Sequence, residues 1–190
     1  NIKSEKSDLR VVPTCEYFGK YGGCDLQHIR HSYQLEYKQI VLAEILVRHS
    51  GLTAEKELAA VASRPWGYRR NARISISSSP AHGLKLGFRE KGTSSVVNCL
   101  TCDVLKSSLS DLLPHLATLV QGLDLKNCIS EAELLSTGDD VTVILFCESN
   151  FNASDLVKLG DFSSVHKVSV CRKKGKIIEA LGSVVAAHGY

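Results

Sequence analysis

The chain predicts an α+β fold with a mainly antiparallel sheet, on three observations. Several short segments alternate apolar and polar residues between turn signals, and other segments repeat apolar residues at helical spacing. No strand is followed by a glycine-rich phosphate fingerprint and a helix, so a nucleotide-binding Rossmann unit is excluded. The expected architecture is a meander followed by hairpins, covered by two or three helices, with a cysteine loop at the N-terminal side.

Taken in order, residues 1–14 are polar, lack a period and end at Pro13-Thr14, the mark of a linker. Cys15 to His28 packs two cysteines and three glycines into a segment with neither helical nor strand period, a loop shaped for something other than a core. Ser32 to His49 places Leu35, Leu42, Ile45 and Leu46 near helical spacing, with Ser32 as the cap and Ser50-Gly51 as the stop. Leu52 to Ser63 is ambiguous. Arg64-Pro65 then breaks the chain, and the run to Ser77 settles into the alternation of a strand.

A turn at Ser78–Gly83 leads to Leu84–Arg89, a second turn at Glu90-Lys91-Gly92 leads to Val96-Val97-Asn98, and three antiparallel strands result. Leu84, Leu86 and Phe88 face the core, so Lys85 and Arg89 face outward. Asp103 to Gly122 carries leucines at helical spacing, with a kink expected at Pro114. Ile129–Ser136 and Val141–Glu148 flank the hairpin turn Thr137-Gly138-Asp139-Asp140. Asn152 opens a short helix to about Phe162, and Val165–Cys171 and Lys176–Leu181 close the chain as a hairpin over Arg172-Lys173-Lys174-Gly175. Three units follow: residues 1–31 as linker and cysteine loop, 32–63 as helix and connection, and 64–190 as the α+β domain.

With 44% hydrophobic and 23% charged residues among 190, the composition is that of an ordinary globular protein. No run approaches a membrane span and no secretory signal opens the chain, so the expectation is a cytoplasmic monomer with no membrane partner. The net charge of +3 conceals a segregation. Between 64 and 91 stand Arg64, Arg69, Arg70, Arg73, Lys85, Arg89 and Lys91 against Glu90 alone. Trp66 and Tyr68 are interleaved with the arginines, the mixture that RNA binding uses: cations for phosphates and flat rings for exposed bases. The plainer reading of such a face is a solvated strand surface, and Trp66 serves equally as a core anchor. The Arg172–Lys176 cluster reads as a polar hairpin tip.

Seven cysteines are many for a cytoplasmic protein and too sparse for a disulfide scaffold. Cys128, Cys147 and Cys171 sit in apolar, strand-like contexts and read as buried, inert thiols. Cys15 and Cys24, with Cys99 and Cys102 far downstream, form two close pairs at the ends of a long loop, the usual way to hold a soft metal or a cluster.

These residues carry a resemblance. Cys15–His28 resembles the iron–sulfur loop of the RNA uracil-5-methyltransferases: a cysteine, five residues, Cys-Gly-Gly-Cys, then a Gln-His pair, with a fourth cysteine far downstream. The likeness continues through Pro65–Arg73, Leu86–Arg89 with Gly92 and Ser94-Ser95, and Cys102-Asp103-Val104-Leu105. It covers roughly residues 15 to 105, and the nearest members are those that methylate a uridine of 23S ribosomal RNA.

The resemblance implies the central domain of a three-part enzyme, between a small RNA-binding TRAM domain and a C-terminal domain that binds S-adenosylmethionine and carries the catalytic cysteine. No catalytic or S-adenosylmethionine-binding residue is therefore expected here, and this segment alone should be inactive. Ribosomal RNA is the implied partner, contacted by Trp66, Tyr68, Arg69, Arg70, Arg73, Lys85, Arg89 and Lys91. A 4Fe-4S cluster is the implied group, with Cys15, Cys24 and Cys102 matching ligand positions. The pattern breaks at Tyr21, which stands where the middle cysteine belongs. Cys99 is then a candidate replacement; the alternatives are three-thiolate ligation or a loop that keeps its shape without metal. His28 is expected to make a loop-stabilising hydrogen bond. The competing reading is a stand-alone iron–sulfur or zinc RNA-binding module without enzymatic activity.

Overall fold

A computed structural model describes residues 7–182; the first six residues of the expected linker lie outside that range. The elements run α1 (His31–Ser50), β1 (Asn71–Ser79), β2 (Gly83–Arg89), β3 (Val96–Asn98), α2 (Ser107–Ser110), α3 (Leu112–Gly122), β4 (Ile129–Thr137), β5 (Asp140–Cys147), α4 (Ala153–His166), β6 (Ser169–Lys174) and β7 (Ile177–Gly182). The strands form a seven-stranded sheet in the order β3-β2-β1-β4-β5-β6-β7, antiparallel at every pairing except β5 with β6. The fold is α+β, as the alternation predicts. No described helix is long and apolar enough to cross a membrane.

Alternation decides which residues go where. Ile74 and Ile76 of β1, Leu86 of β2, Ala132 and Leu134 of β4, Val143 and Leu145 of β5 and Val170 of β6 point to one face. There they pack with Leu109 of α2, Leu113, Leu116 and Val120 of α3, and Leu159 and Phe162 of α4 in a single apolar core. Every aliphatic side chain buried in this way contributes on the order of 2 kcal/mol relative to exposure, which is why the sheet's register cannot slip. Gly138, at φ 62°, supplies the left-handed residue that the tight β4–β5 turn demands.

Four expectations need correction. The helix predicted over 103–122 is split at Asp111 into α2 and α3 rather than kinked at Pro114. Pro114 is the third residue of α3, inside the first turn, where a helix has no intrahelical partner for the missing N–H. The helix opening at Asn152, whose side-chain oxygen accepts from the Asp155 amide at 2.8 Å, runs to His166, four residues past Phe162. Its end is fixed by Ser163, whose hydroxyl donates to the Val168 carbonyl at 2.7 Å. The closing hairpin forms between β6 and β7, but β5–α4–β6 before it is a parallel crossover where only hairpins were expected to carry the chain. Finally, α1 begins at His31 with Arg30 as its cap and no side-chain cap bond, so Ser32 does not cap it. None of its residues is buried, and Tyr37, Ile40, Leu42, Ile45, Leu46 and Val47 remain exposed.

Candidate functional site

Two structural features meet at the β1–β2 side of the sheet: the cysteine loop and a cleft lined by arginines. The loop is closed at its base by the Val11 amide donating to the His28 carbonyl at 3.0 Å and the Arg30 amide donating to the Leu9 carbonyl at 2.9 Å. Successive turns at Cys15–Phe18 and Tyr17–Lys20 coil it inward. It is fastened to the end of β2 by a bridge between Tyr21 and Glu90 and by the Lys91 amide donating to the Lys20 carbonyl at 3.2 Å. An exposed pair, Lys91 with Asp25 at 3.2 Å, lies beside this seam.

Tyr21 is the centre of the loop. Only 5% exposed, its ring stacks on Phe88 of β2 with centroids 4.7 Å apart. Burial, and the thiols of Cys102, Cys99, Cys15 and Cys24 around it, hold the phenol well above its ordinary range. Cys99 and Cys102 are buried and Cys15 and Cys24 half-buried. Burial pushes the Cys99 thiol up to about 12, and its Sγ donates to the Thr101 carbonyl at 3.0 Å. Burial raises Cys102 as well, partly offset by the amides of Val104 and Leu105 and by the Tyr21 hydroxyl.

A 4Fe-4S cluster needs thiolates converging on one hollow. The residues present do not fit that group. Among the described residues no three His, Cys, Asp or Glu side chains are placed to hold a single metal ion, and the hollow of the Tyr21-Gly22-Gly23-Cys24 turn, where a cluster would lie, holds an aromatic ring in place of a thiol. A Cβ on Gly23 would lie 2.7 Å from Cε2 of Tyr21, so the ring packs against the turn itself.

The cleft next to the loop has a volume of about 340 Å³. It is lined by Tyr21, Cys24, Phe88 and Cys102 on the loop side and by Arg69, Arg73, Arg89, Ser75 and Glu131. Glu131 of β4 sits opposite Ser75 and gathers the cations: Arg89 Nη2 lies 3.2 Å and Arg73 Nη1 3.7 Å from its carboxylate. Arg89 Nε also donates to the Ser75 hydroxyl at 3.3 Å. Arg69 is placed from the other direction, because its backbone exchanges hydrogen bonds with Val104 and Lys106, directly after Cys102. The thiol segment and the arginine cleft are thus one assembly.

The same open sheet face extends beyond the cleft. Arg73 lies over the Phe146 ring at 5.0 Å, and Lys173 over the same ring at 4.8 Å. Of the predicted RNA contacts, the structure gathers Arg69, Arg73 and Arg89. Trp66 and Tyr68, both exposed, line a separate, wider cleft of about 680 Å³ with Arg64, Gln34 and Lys38. Arg70 is exposed and Lys85 half-exposed, and neither borders either cleft, whereas Lys91 is engaged with Asp25. In the second basic cluster, Arg172 is buried, held by Glu179, Asn150 and Ser149, while Lys173 joins the open face. Cys147 is buried as expected, but Cys128 is exposed, because it falls in the 3-10 turn Lys126–Cys128 rather than in a strand. The His28 ring packs on Phe18 at 5.6 Å, and its backbone carbonyl, not its ring, accepts the loop-closing bond.

Sequence reading missed Ser75, Glu131, Phe146 and Lys173. For Glu131 a signal existed: it alternates with Ala132 in β4 and so must face away from the core. Phe146 and Lys173 are neighbours through the parallel β5–β6 register, for which the sequence has no local sign.

No family model matches the chain. It is 34% identical over 168 residues to the 23S rRNA (uracil(1939)-C(5))-methyltransferase RlmD of Alkalilimnicola ehrlichii, covering 87% of this chain and 38% of that protein. It is 37% identical over 167 residues to the protein of the same name from Acinetobacter baylyi, covering 87% of this chain and 36% of that protein. Among solved structures, the fold is similar to that of the Pyrococcus abyssi tRNA (uracil-54, C5)-methyltransferase in complex with S-adenosyl-L-homocysteine. The TM-score is 0.59 at 20% identity, over 90% of this chain and 39% of that one. The chain spans under two fifths of the length of each relative.

Proposed function

The chain resembles the RNA uracil-C5 methyltransferases along 87% of its length, and we propose that it forms the central, RNA-contacting domain of an S-adenosylmethionine-dependent 23S rRNA (uracil-C5) methyltransferase. In this reading methyl transfer belongs to parts of the enzyme outside these residues, where S-adenosylmethionine and the catalytic cysteine would be held. The domain's work is to grip ribosomal RNA in the cytoplasm. The 34–37% identity to methyltransferases favours this over a stand-alone RNA-binding module.

The observation that carries the proposal is the cleft of Arg69, Arg73 and Arg89 on the sheet face opposite α3 and α4. Arginine's planar fork binds phosphate bidentately, and Phe146, beneath Arg73 and Lys173, places an apolar ring beside the cations, where an unstacked base can lie. Glu131 keeps the arginines in position through pairs that are more than half exposed on the arginine side, so phosphate can compete for them. Trp66 and Tyr68 extend the surface toward α1.

Titration of a 23S rRNA fragment into the protein at several salt concentrations tests the proposal. Arg73→Ala and Arg89→Ala should each weaken binding and lower the salt slope by about 1. An unchanged slope would remove this face from consideration. Loss of methyl transfer in the full-length protein with the affinity unchanged would assign the arginines to the reaction, not to RNA grip.

A further inference from the structure

We infer that the cysteine loop carries no iron–sulfur cluster and is closed instead by Tyr21, whose ring fills the hollow among the four thiols and fastens the loop to the sheet. Three observations bear this out, each independent of the others.

The first is the position of the ring. Tyr21 occupies the turn where a ligand would have to enter, buried to 5% and stacked on Phe88. Its Cε2 and Cδ2 atoms lie 2.7 and 3.1 Å from where a Cβ on Gly23 would stand. Nothing larger than hydrogen fits between ring and turn.

The second concerns Cys99, the one thiol able to make up the missing fourth ligand. Its backbone is pinned against β2: its amide donates to the Leu86 carbonyl at 2.9 Å, and a Cβ on Gly87 would lie 2.7 Å from its nitrogen and 3.0 Å from its own Cβ. With no side chain at Gly87 the Cys99 segment sits directly on the strand, and its Sγ is turned to the Thr101 carbonyl. The side chain is fully buried, so freeing its Sγ from the Thr101 carbonyl to ligate iron means rebuilding the packing against the strand.

The third is the neighbouring cleft. It has room, yet of the four thiols only Cys24 and Cys102 border it, and the remaining polar wall is Arg69, Arg73, Arg89, Ser75 and Glu131. That wall suits an anionic RNA segment, not a thiolate-ligated cluster.

The consequence is a mechanical tie of a different kind. Stacking of Tyr21 on Phe88 and the Tyr21–Glu90 bridge join the loop to β2, one strand from Arg73, so the arginine cleft keeps its wall without metal. Iron content and RNA affinity are separate readouts, so failure of this inference leaves the RNA reading standing, and the reverse.

The test is elemental analysis of the full-length protein, purified anaerobically and then incubated with ferrous iron and sulfide. Wild type should hold neither iron nor zinc above a Cys24→Ser, Cys102→Ser control, show no brown thiolate-to-iron absorption, and keep its melting temperature under chelation. Tyr21→Cys, which restores a fourth thiol in the turn, should take up about four iron and four sulfide per chain, and Tyr21→Phe should melt close to wild type. Wild-type protein with about four iron per chain, absent from the control, would overturn the inference. So would a folded Tyr21→Cys that binds no iron, since Tyr21 would then not be what keeps the cluster out. The wild-type measurement tests the absence of a cluster whether or not the variants fold, and Tyr21→Cys tests the part that Tyr21 plays in it.

Discussion

On the face of the sheet beneath α3 and α4, Ile74, Leu86, Leu134, Leu145 and Val170 are fully buried. On the opposite face the same strands present Arg73, Arg89, Glu131, Phe146 and Lys173. The two sets lie an odd number of positions apart along each strand, so the pleat turns a difference of parity into a difference between core and surface. The covered face should answer to stability and the open face to binding. The buried tyrosine of the cysteine loop stands at the border, apolar in its packing yet next to the arginines.

The strongest way to break this division is at the covered face. Leu134→Ala removes a fully buried side chain from the middle of β4 and should cost about 2–5 kcal/mol in denaturant unfolding. Whatever protein remains folded should bind RNA as wild type does, and a proportionate loss of affinity would show that the two faces are coupled. Next in size is Asp155, whose fully buried carboxylate accepts from the amides of Asp124 and Leu125 at 2.8 and 3.1 Å. Asp155→Ala orphans both donors and should cost roughly 1–3 kcal/mol by thermal unfolding, again without touching RNA affinity.

On the open face the pattern inverts. The double substitution Arg73→Ala, Arg89→Ala should shift stability by no more than about 1 kcal/mol, because the exposed ion pairs contribute little. Its salt slope for RNA should fall by about 2, because each arginine neutralises one phosphate. Fluorescence anisotropy and a melting curve on one sample measure both quantities. A large stability loss with an intact slope would mean that Glu131 and its arginines brace the sheet rather than bind.

The smallest effect is expected with pH. His166, at the end of α4, is held below its ordinary range by burial and then by His115, whose ring centroid is 4.5 Å away. A lowered folded value favours the neutral ring, so its contribution is fully present above the unfolded value near 6.5 and is lost as pH falls below it. Melting temperature should therefore drop between about pH 7 and 5, and His115→Gln should make that drop shallower.

Much of this was legible in the chain. The meander, the hairpin at Gly138 and the Asn152 cap follow from alternation and turn chemistry that act over a few residues. The cysteine loop and the basic block stand out for the same reason, since their signals are compositional and local. Reading failed where a neighbour in space outweighed a neighbour in sequence. The α2–α3 break came three residues before Pro114, α4 overran its expected end through Ser163 and Val168, and the β5–β6 pairing became parallel once α4 crossed the sheet.

By itself, then, the sequence determined the elements, the α+β class, the thiol-rich loop and the cationic strand, because propensity and period are properties of short segments. Only the tertiary structure decided that Glu131 would gather Arg73 and Arg89, that Lys173 would share Phe146 with Arg73, and that Tyr21 would be buried among four thiols. The first two join residues tens of positions apart through strand register, which is fixed by how the whole core packs, and the third follows from the loop folding back onto the end of β2.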